Sequence, residues 1–234
     1  MTAALPDLVR IPPGEFWMGE NMDDKFANDT ERPRHLVRFE SGFFLGRTPV
    51  TVGEYRCFQP DHAPGEPHDW PVVNINWLEA KAFCRWLSSK TGRSFRLPSE
   101  SEWEYAARAA SENPYPWGNT IWPDNANYLY TEQGVKIGAG HRTPVNMFPP
   151  NAFGAFDLHG NVCEWTEDLW HPDYQGAPSD GSTWQTGGRS AQRVLRGGAW
   201  DYLPRLLRSS WRDALPETTK RDNVGFRVAA DLWT

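Results

Sequence analysis

Apolar positions along this chain fall in short alternating runs near the N-terminus, take a helical spacing in the middle and return to short runs toward the end. Residues 8 to 18, LVRIPPGEFWM, read as two short strands around a Pro-Pro-Gly turn, since neither proline can donate to a ladder and glycine takes the bend. HLVRFESGFFLGRTPVT continues in strands with a break at Ser41-Gly42. Thr51 then offers an N-cap for a short helix, VGEYRCF, and WPVVNIN reads as a strand or extended run. From Asn76 to Lys90 the spacing places Trp77, Ala80, Phe83, Cys84 and Leu87 on one face of a helix that Gly92 stops. In RLPSESEWEYAARAA, Ser99 and Glu102 form a capping box and Trp103, Ala106 and Ala107 share a face, which predicts a second helix of about three turns.

Residues 111 to 140 are rich in Asn, Gly, Pro and aromatics and show no period. They read as one long loop, held by Trp117, Trp122, Tyr128 and Tyr130, and loops of that length are usually functional or tied down. FGAFDL and VCEWTEDLW read as strands, and RVLRGGAW and VGFRVAADL finish the sheet. Between these last two lies RGGAWDYLPRLLRSSWR, residues 196 to 212, with neither a helical nor a strand period.

At 234 residues the expectation is one domain spanning 1–234. Thirteen Trp beside 20 Gly and 20 Pro, with 39% hydrophobic residues, mean that large rings supply much of the core and loops much of the length. A formal charge of -6 leaves no electrostatic footprint for nucleic acid or an anionic membrane surface. Cys57, Cys84 and Cys163 form no CxxC pair, so disulfides and zinc are not expected, each thiol reads as a small buried hydrophobe, and a reducing compartment follows. The N-terminal stretch MTAALPDLVRIPPGEF has no basic region followed by an apolar run, and no segment has the apolar length of a membrane helix. A cytoplasmic protein without membrane insertion is the expectation.

Taken in order, IPPGEFWMGE, ERPRHLVRFESGFFLGRTPVTVGEY, PVVNINWLEAKAFCRWL, RLPSESEWEYAAR, YPWGN, PVNMFPPNAFGAFDLHGNVCEWTED, RVLRGGAW and NVGFRVA resemble the formylglycine-generating enzyme, or sulfatase-modifying-factor, family over nearly the whole chain. The resemblance implies an α+β, C-type lectin-like fold of the sulfatase-modifying-factor type, with two main helices, short mixed strands and extensive ordered loops. In the enzymes of the family, two cysteines four and nine positions after the second glycine of the GG motif bind copper and oxidise a substrate cysteine. Counted from Gly198, those positions are Tyr202 and Leu207, and neither can replace a soft thiolate for Cu(I). The related sulfoxide synthases hold iron through an additional histidine-bearing helical domain, and the six histidines here have no ligand spacing. Neither copper nor iron is therefore expected. Carried over by position, a structural calcium site of the family falls on the Asp157 side chain, the Gly160 and Val162 carbonyls and the Glu164 carboxylate; turn capping and a strand-end salt bridge are the alternative. A second family calcium site begins at Asn127 and Tyr128 but lacks its acidic partner.

Within residues 196 to 227, RGG, Trp200, Pro204, Arg208, Ser209, Arg212 and NVGFR read as framework. Asp201, Tyr202, Leu203, Arg205, Leu207, Trp211, Asp213 and Leu215 are the candidate ligand-binding residues, because aromatic, arginine and leucine side chains bury large areas on binding. Among them Trp211 reads as core, and Tyr202, Leu203 and Leu207 as surface. The segment also resembles the variable region of diversity-generating retroelement proteins. The function expected is a non-catalytic module that binds a protein or other ligand through residues 201 to 218. The alternatives are a diverged enzyme or pathway accessory protein using Asp201, Tyr202, Arg205 and Arg208 as acid, base and anion-binding groups, or a subunit of a larger assembly.

Overall fold

A computed structural model describes residues 5 to 20 and 24 to 233; residues 1 to 4 of the N-terminal stretch lie outside it. Strand β1 (Leu8–Ile11) and strand β2 (Gly14–Met18) flank the Pro-Pro-Gly turn without pairing with each other. Instead β2 pairs antiparallel with β3 (His35–Phe39), and β1 with β4 (Phe43–Gly46). Gly42 is what lets β1 and β4 close: a Cβ there would meet the Ile11 carbonyl oxygen at 2.3 Å.

Helix α1 (Val52–Arg56) starts in a capping box of Thr51 and Glu54, and WPVVNIN follows as extended chain with one bridge, Thr51 to Pro71. Helix α2 (Trp77–Thr91) is capped by Asn76 and Glu79, buries the five residues of the expected face, and ends at Gly92 in the left-handed region. After the two-residue strand β5 (Phe95–Arg96), helix α3 (Glu100–Arg108) begins in the Ser99 and Glu102 capping box. All nine of its residues are buried, charged ones included. A single apolar stripe would not do this; pairing of Glu100, Glu104 and Arg108 with buried arginines and carboxylates does.

Strands β6 (Cys163–Trp170), β7 (Arg189–Arg196), β8 (Arg212–Pro216) and β9 (Val224–Phe226) form a sheet in the order β8-β7-β6-β9, with β9 parallel to β6. Three expectations change here. FGAFDL is not a strand, because Gly154 and Asp157 take φ of 81° and 55° and break the extended run. VGFRVAADL does not finish one sheet: after β9 the chain crosses to β10 (Ala229–Asp231), which lies between β4 and β5. Residues 212 to 216, at the end of the aperiodic stretch and just beyond it, become β8, recruited by antiparallel pairing with β7 from Gln192–Pro216 to Arg196–Arg212.

One core layer packs α2 on the β6 to β9 sheet around Tyr55, Trp77, Phe83, Trp165 and Phe226. A second packs α3 on the other sheets around Ile11, Val37, Leu45, Trp103 and Tyr105. A third, small cluster of Tyr115, Ile121, Ala126, Tyr128 and Leu207 lies under the long loop. Tyr128 therefore anchors that loop as expected, whereas Trp122 is 64% exposed and Trp117 and Tyr130 are also exposed. Of the thiols, Cys84 and Cys163 are buried but Cys57 is exposed, because it follows the last turn of the short α1 on its solvent side. No described helix is long and apolar enough to cross a membrane.

Candidate ligand-binding site

Gly197 and Gly198, both at positive φ, turn the chain out of β7. A Cβ at Gly198 would meet the Leu206 carbonyl oxygen at 2.6 Å, so the turn folds back onto a short 3-10 segment, Pro204–Leu207, that begins with proline at its first position. The two positions aligned with the family thiols then diverge. Leu207 is fully buried against Tyr115, Ile121 and Tyr128, which corrects its reading as surface. Its backbone carbonyl oxygen faces His159 Nδ1 at 2.7 Å. Tyr202 is half-buried and stands edge-on to Trp211 at 5.5 Å, and burial raises the pKa of its phenol and of the buried Cys163 thiol.

The other candidate residues divide by burial. Trp211 is core, as expected, and Leu215 is buried in β8, which removes it from the surface for which it was chosen. Asp213 sits in the same strand with its carboxyl pKa raised by burial. Asp201 is exposed and accepts two contacts from the Asn223 amide at 3.0 and 3.1 Å. Leu203 is half-buried, and Arg205 binds Glu132 through both its backbone N–H and its guanidinium, each at 2.7 Å. The groups named as acid, base and anion binder thus face separate partners and do not converge.

Framework arginines tie this segment down. Arg208 donates to Glu31 through both terminal nitrogens at 2.8 and 2.7 Å, to Asp24 at 2.9 Å and to the Arg205 carbonyl through Nε at 2.8 Å. Arg196 donates to the carbonyls of Ser209, Ser210 and Trp211 and to Glu104. Arg212 donates to Glu100 and to the Thr30 carbonyl.

The segment forms one wall of a two-lobed cleft. One lobe, of about 440 Å³, is lined by Asp24, Arg34, Glu112 and Arg208; the other, of about 460 Å³, by Ile121, Trp122, Tyr128, Glu132, Gln133 and Pro204. Lys25, Phe26, Tyr115 and Asn119 line both. The Tyr115 hydroxyl donates to the Pro204 carbonyl at 2.7 Å, which seats the 3-10 segment on the cleft floor. Only Pro204 and Arg208 reach the cleft from residues 201 to 218. The remaining lining comes from Glu20, from residues 24 to 34 and from the long loop. Sequence spacing had no means of joining these pieces; the one local signal was a loop with more large rings than a solvated loop needs.

The proposed calcium ligands do not fit the ion in this arrangement. Both Glu164 oxygens are taken by Arg227, each at 2.6 Å, and one also accepts the Trp103 indole N–H at 2.7 Å. Asp157 remains as the single carboxylate; one of its oxygens accepts the Asn146 N–H, and burial raises its pKa to about 6. Asn127 of the second site is turned to the His141 carbonyl, Thr143 and Asn161.

Residues 1–232 match the Sulfatase-modifying factor enzyme 1-like domain. The formylglycine-generating enzyme of Mus musculus is 32% identical over 97% of this chain and 76% of its own length. The inactive C-alpha-formylglycine-generating enzyme 2 of Bos taurus is 36% identical over 70% of this chain and 52% of its own. Among solved structures, PvdO from Pseudomonas aeruginosa superposes with a TM-score of 0.87 at 35% identity, covering 97% of this chain and 95% of that one. Variable protein 1 of Treponema denticola shares the fold, with a TM-score of 0.81 at 24% identity over 96% and 95% of the two chains. The chain accordingly belongs to the sulfatase-modifying-factor family and has its α+β, C-type lectin-like fold.

Proposed function

We propose that this chain is a non-catalytic binding module on the formylglycine-generating-enzyme scaffold, and that its ligand sits in the cleft walled by Pro204 to Arg208. The observation that carries the reading is the pair Tyr202 and Leu207: a half-buried phenol packed edge-on to Trp211 and a fully buried isobutyl group stand where the resemblance places two copper-binding cysteines. Relatives named as active and as inactive enzymes both match the chain, so membership of the family leaves activity to the site. The enzyme alternative would need Asp201, Tyr202, Arg205 and Arg208 to act together, and each is engaged elsewhere. If the segment is also diversified, variation belongs at Asp201, Tyr202, Leu203 and Arg205, since changes at Leu207, Trp211 and Leu215 would enter the core. The test is incubation of the purified protein with Cu(I), oxygen and a CxPxR-type peptide, followed by mass spectrometry. The peptide is expected to be recovered unchanged; its conversion to an aldehyde overturns the proposal.

A further inference from the structure

The cleft has chemistry that narrows its ligand. Trp122 presents 64% of its surface to solvent at the cleft's edge, and Phe26 presents 38% on the same lining. Keeping large rings in water forfeits the favourable transfer that a buried ring of this size supplies, so a ligand that covers them recovers it. The carboxylate of the lobe that Trp122 borders, and the Asp24–Arg208 pair behind it, are satisfied within the protein. Glu132 is bonded on both oxygens by Arg205, Asp24 by Arg208 and the Phe26 N–H, and Arg208 has donors committed on all three of its nitrogens. On the lobe that Trp122 borders the charged lining residues are Glu132 and Lys25 alone, and the Lys25 ammonium lies 4.8 Å from the centroid of the Phe26 ring; Arg34 and Glu112 line the other lobe. The polar groups that remain open are uncharged: the side-chain amides of Asn119 and Gln133 are exposed and have no hydrogen-bond partner among the described residues. Amides offer both donors and acceptors, which match hydroxyl groups, and a flat indole matches a ring with an apolar face.

We propose that the lobe of the cleft bordered by Trp122 binds an uncharged saccharide, one sugar ring stacked on Trp122 and its hydroxyls bonded by Asn119 and Gln133, without a metal ion. This rests on the reading of the cleft as a binding site. A formal charge on the ligand would find few unspent counter-charges here, and would lose its hydration for little return.

The experiment is an array of uncharged mono- and oligosaccharides probed with the labelled protein, with galacturonate oligomers and phenylethylamine as charged controls, followed by titration of the best binder by saturation-transfer NMR. Binding of an uncharged sugar that persists in EDTA is expected. Trp122→Ala should weaken it by about tenfold or more, and Asn119→Ala and Gln133→Ala several-fold, with melting temperatures unchanged because all three side chains are exposed. Binding that Trp122→Ala leaves intact overturns the proposal. Absence of any uncharged binder also overturns it, as does Trp122-dependent binding confined to the charged controls; the last result keeps the cleft as a binding site and changes only its ligand. Aldehyde formation in the peptide assay would instead remove the binding-module reading itself.

Discussion

Arg208 shows how much one residue of the divergent segment does for the fold. Its guanidinium is nearly inaccessible and bonds two carboxylates, of which Glu31 is itself fully buried. Arg208→Ala leaves Glu31 charged and unpaired away from water, and is expected to destabilise the protein by about 3–5 kcal/mol. Arg208→Lys keeps the charge but loses the planar fork, and should fall between the two. Urea midpoints of the three proteins, compared at unchanged slope, check the order. The arginine was legible in the sequence as framework, but its partners Asp24 and Glu31 lie more than 170 positions away and share no pattern with it. Leu207 illustrates the opposite failure. A leucine in an aperiodic loop carries no sign of its environment, and it became core because Tyr128 and Ile121 fold beneath it.

Elements that begin with a cap were the legible ones, since capping is local chemistry between residues three apart. The three α-helices among the described residues start in the Thr51, Asn76 and Ser99 capping boxes. Ser99 also ties α3 to the loop before β7, because its hydroxyl accepts from the Glu102 N–H at 3.0 Å and donates to the Gly181 carbonyl at 2.9 Å. Ser99→Ala is expected to cost about 1–2 kcal/mol, toward the upper end of a cap substitution. Ser99→Thr should restore most of it, and thermal unfolding of both variants measures the difference. Strand β8 was not legible. Its residues take extended form only because β7 offers an open edge, so the cause lies in the partner and not in the five residues themselves.

Across the whole molecule, Asp168 couples sheet, helix and loop. Its buried carboxylate accepts the Glu100 N–H at the start of α3 and the Trp184 N–H of the loop leading to β7, at 2.8 and 2.7 Å. Burial, and then the nearby Glu100 carboxylate, raise its pKa from 3.8 to about 7. Because the folded value lies above the unfolded one, the protonated form favours folding: the contribution is complete below about pH 4 and is lost as pH climbs through about 7. Wild-type stability relative to Asp168→Asn is therefore expected to fall between pH 4 and 7 and to level off above it. Denaturant midpoints of the two proteins at intervals of pH test this, and parallel profiles would show that Asp168 does not titrate in that range.

Helix positions, the strand-rich ends, the long ordered loop and the loss of both family thiols could be read from the sequence by itself, because caps, short periodicities and residue identity at a counted position are properties of neighbouring residues. Tertiary structure decided which strands pair, why α3 is buried on every side, that Glu164 serves Arg227, and that the cleft is assembled from Glu20, residues 24 to 34, the long loop and Pro204 to Arg208. Those outcomes depend on contacts between segments far apart in the chain. Buried charges settle only when a partner arrives from another element, and a cleft has no existence until its walls meet.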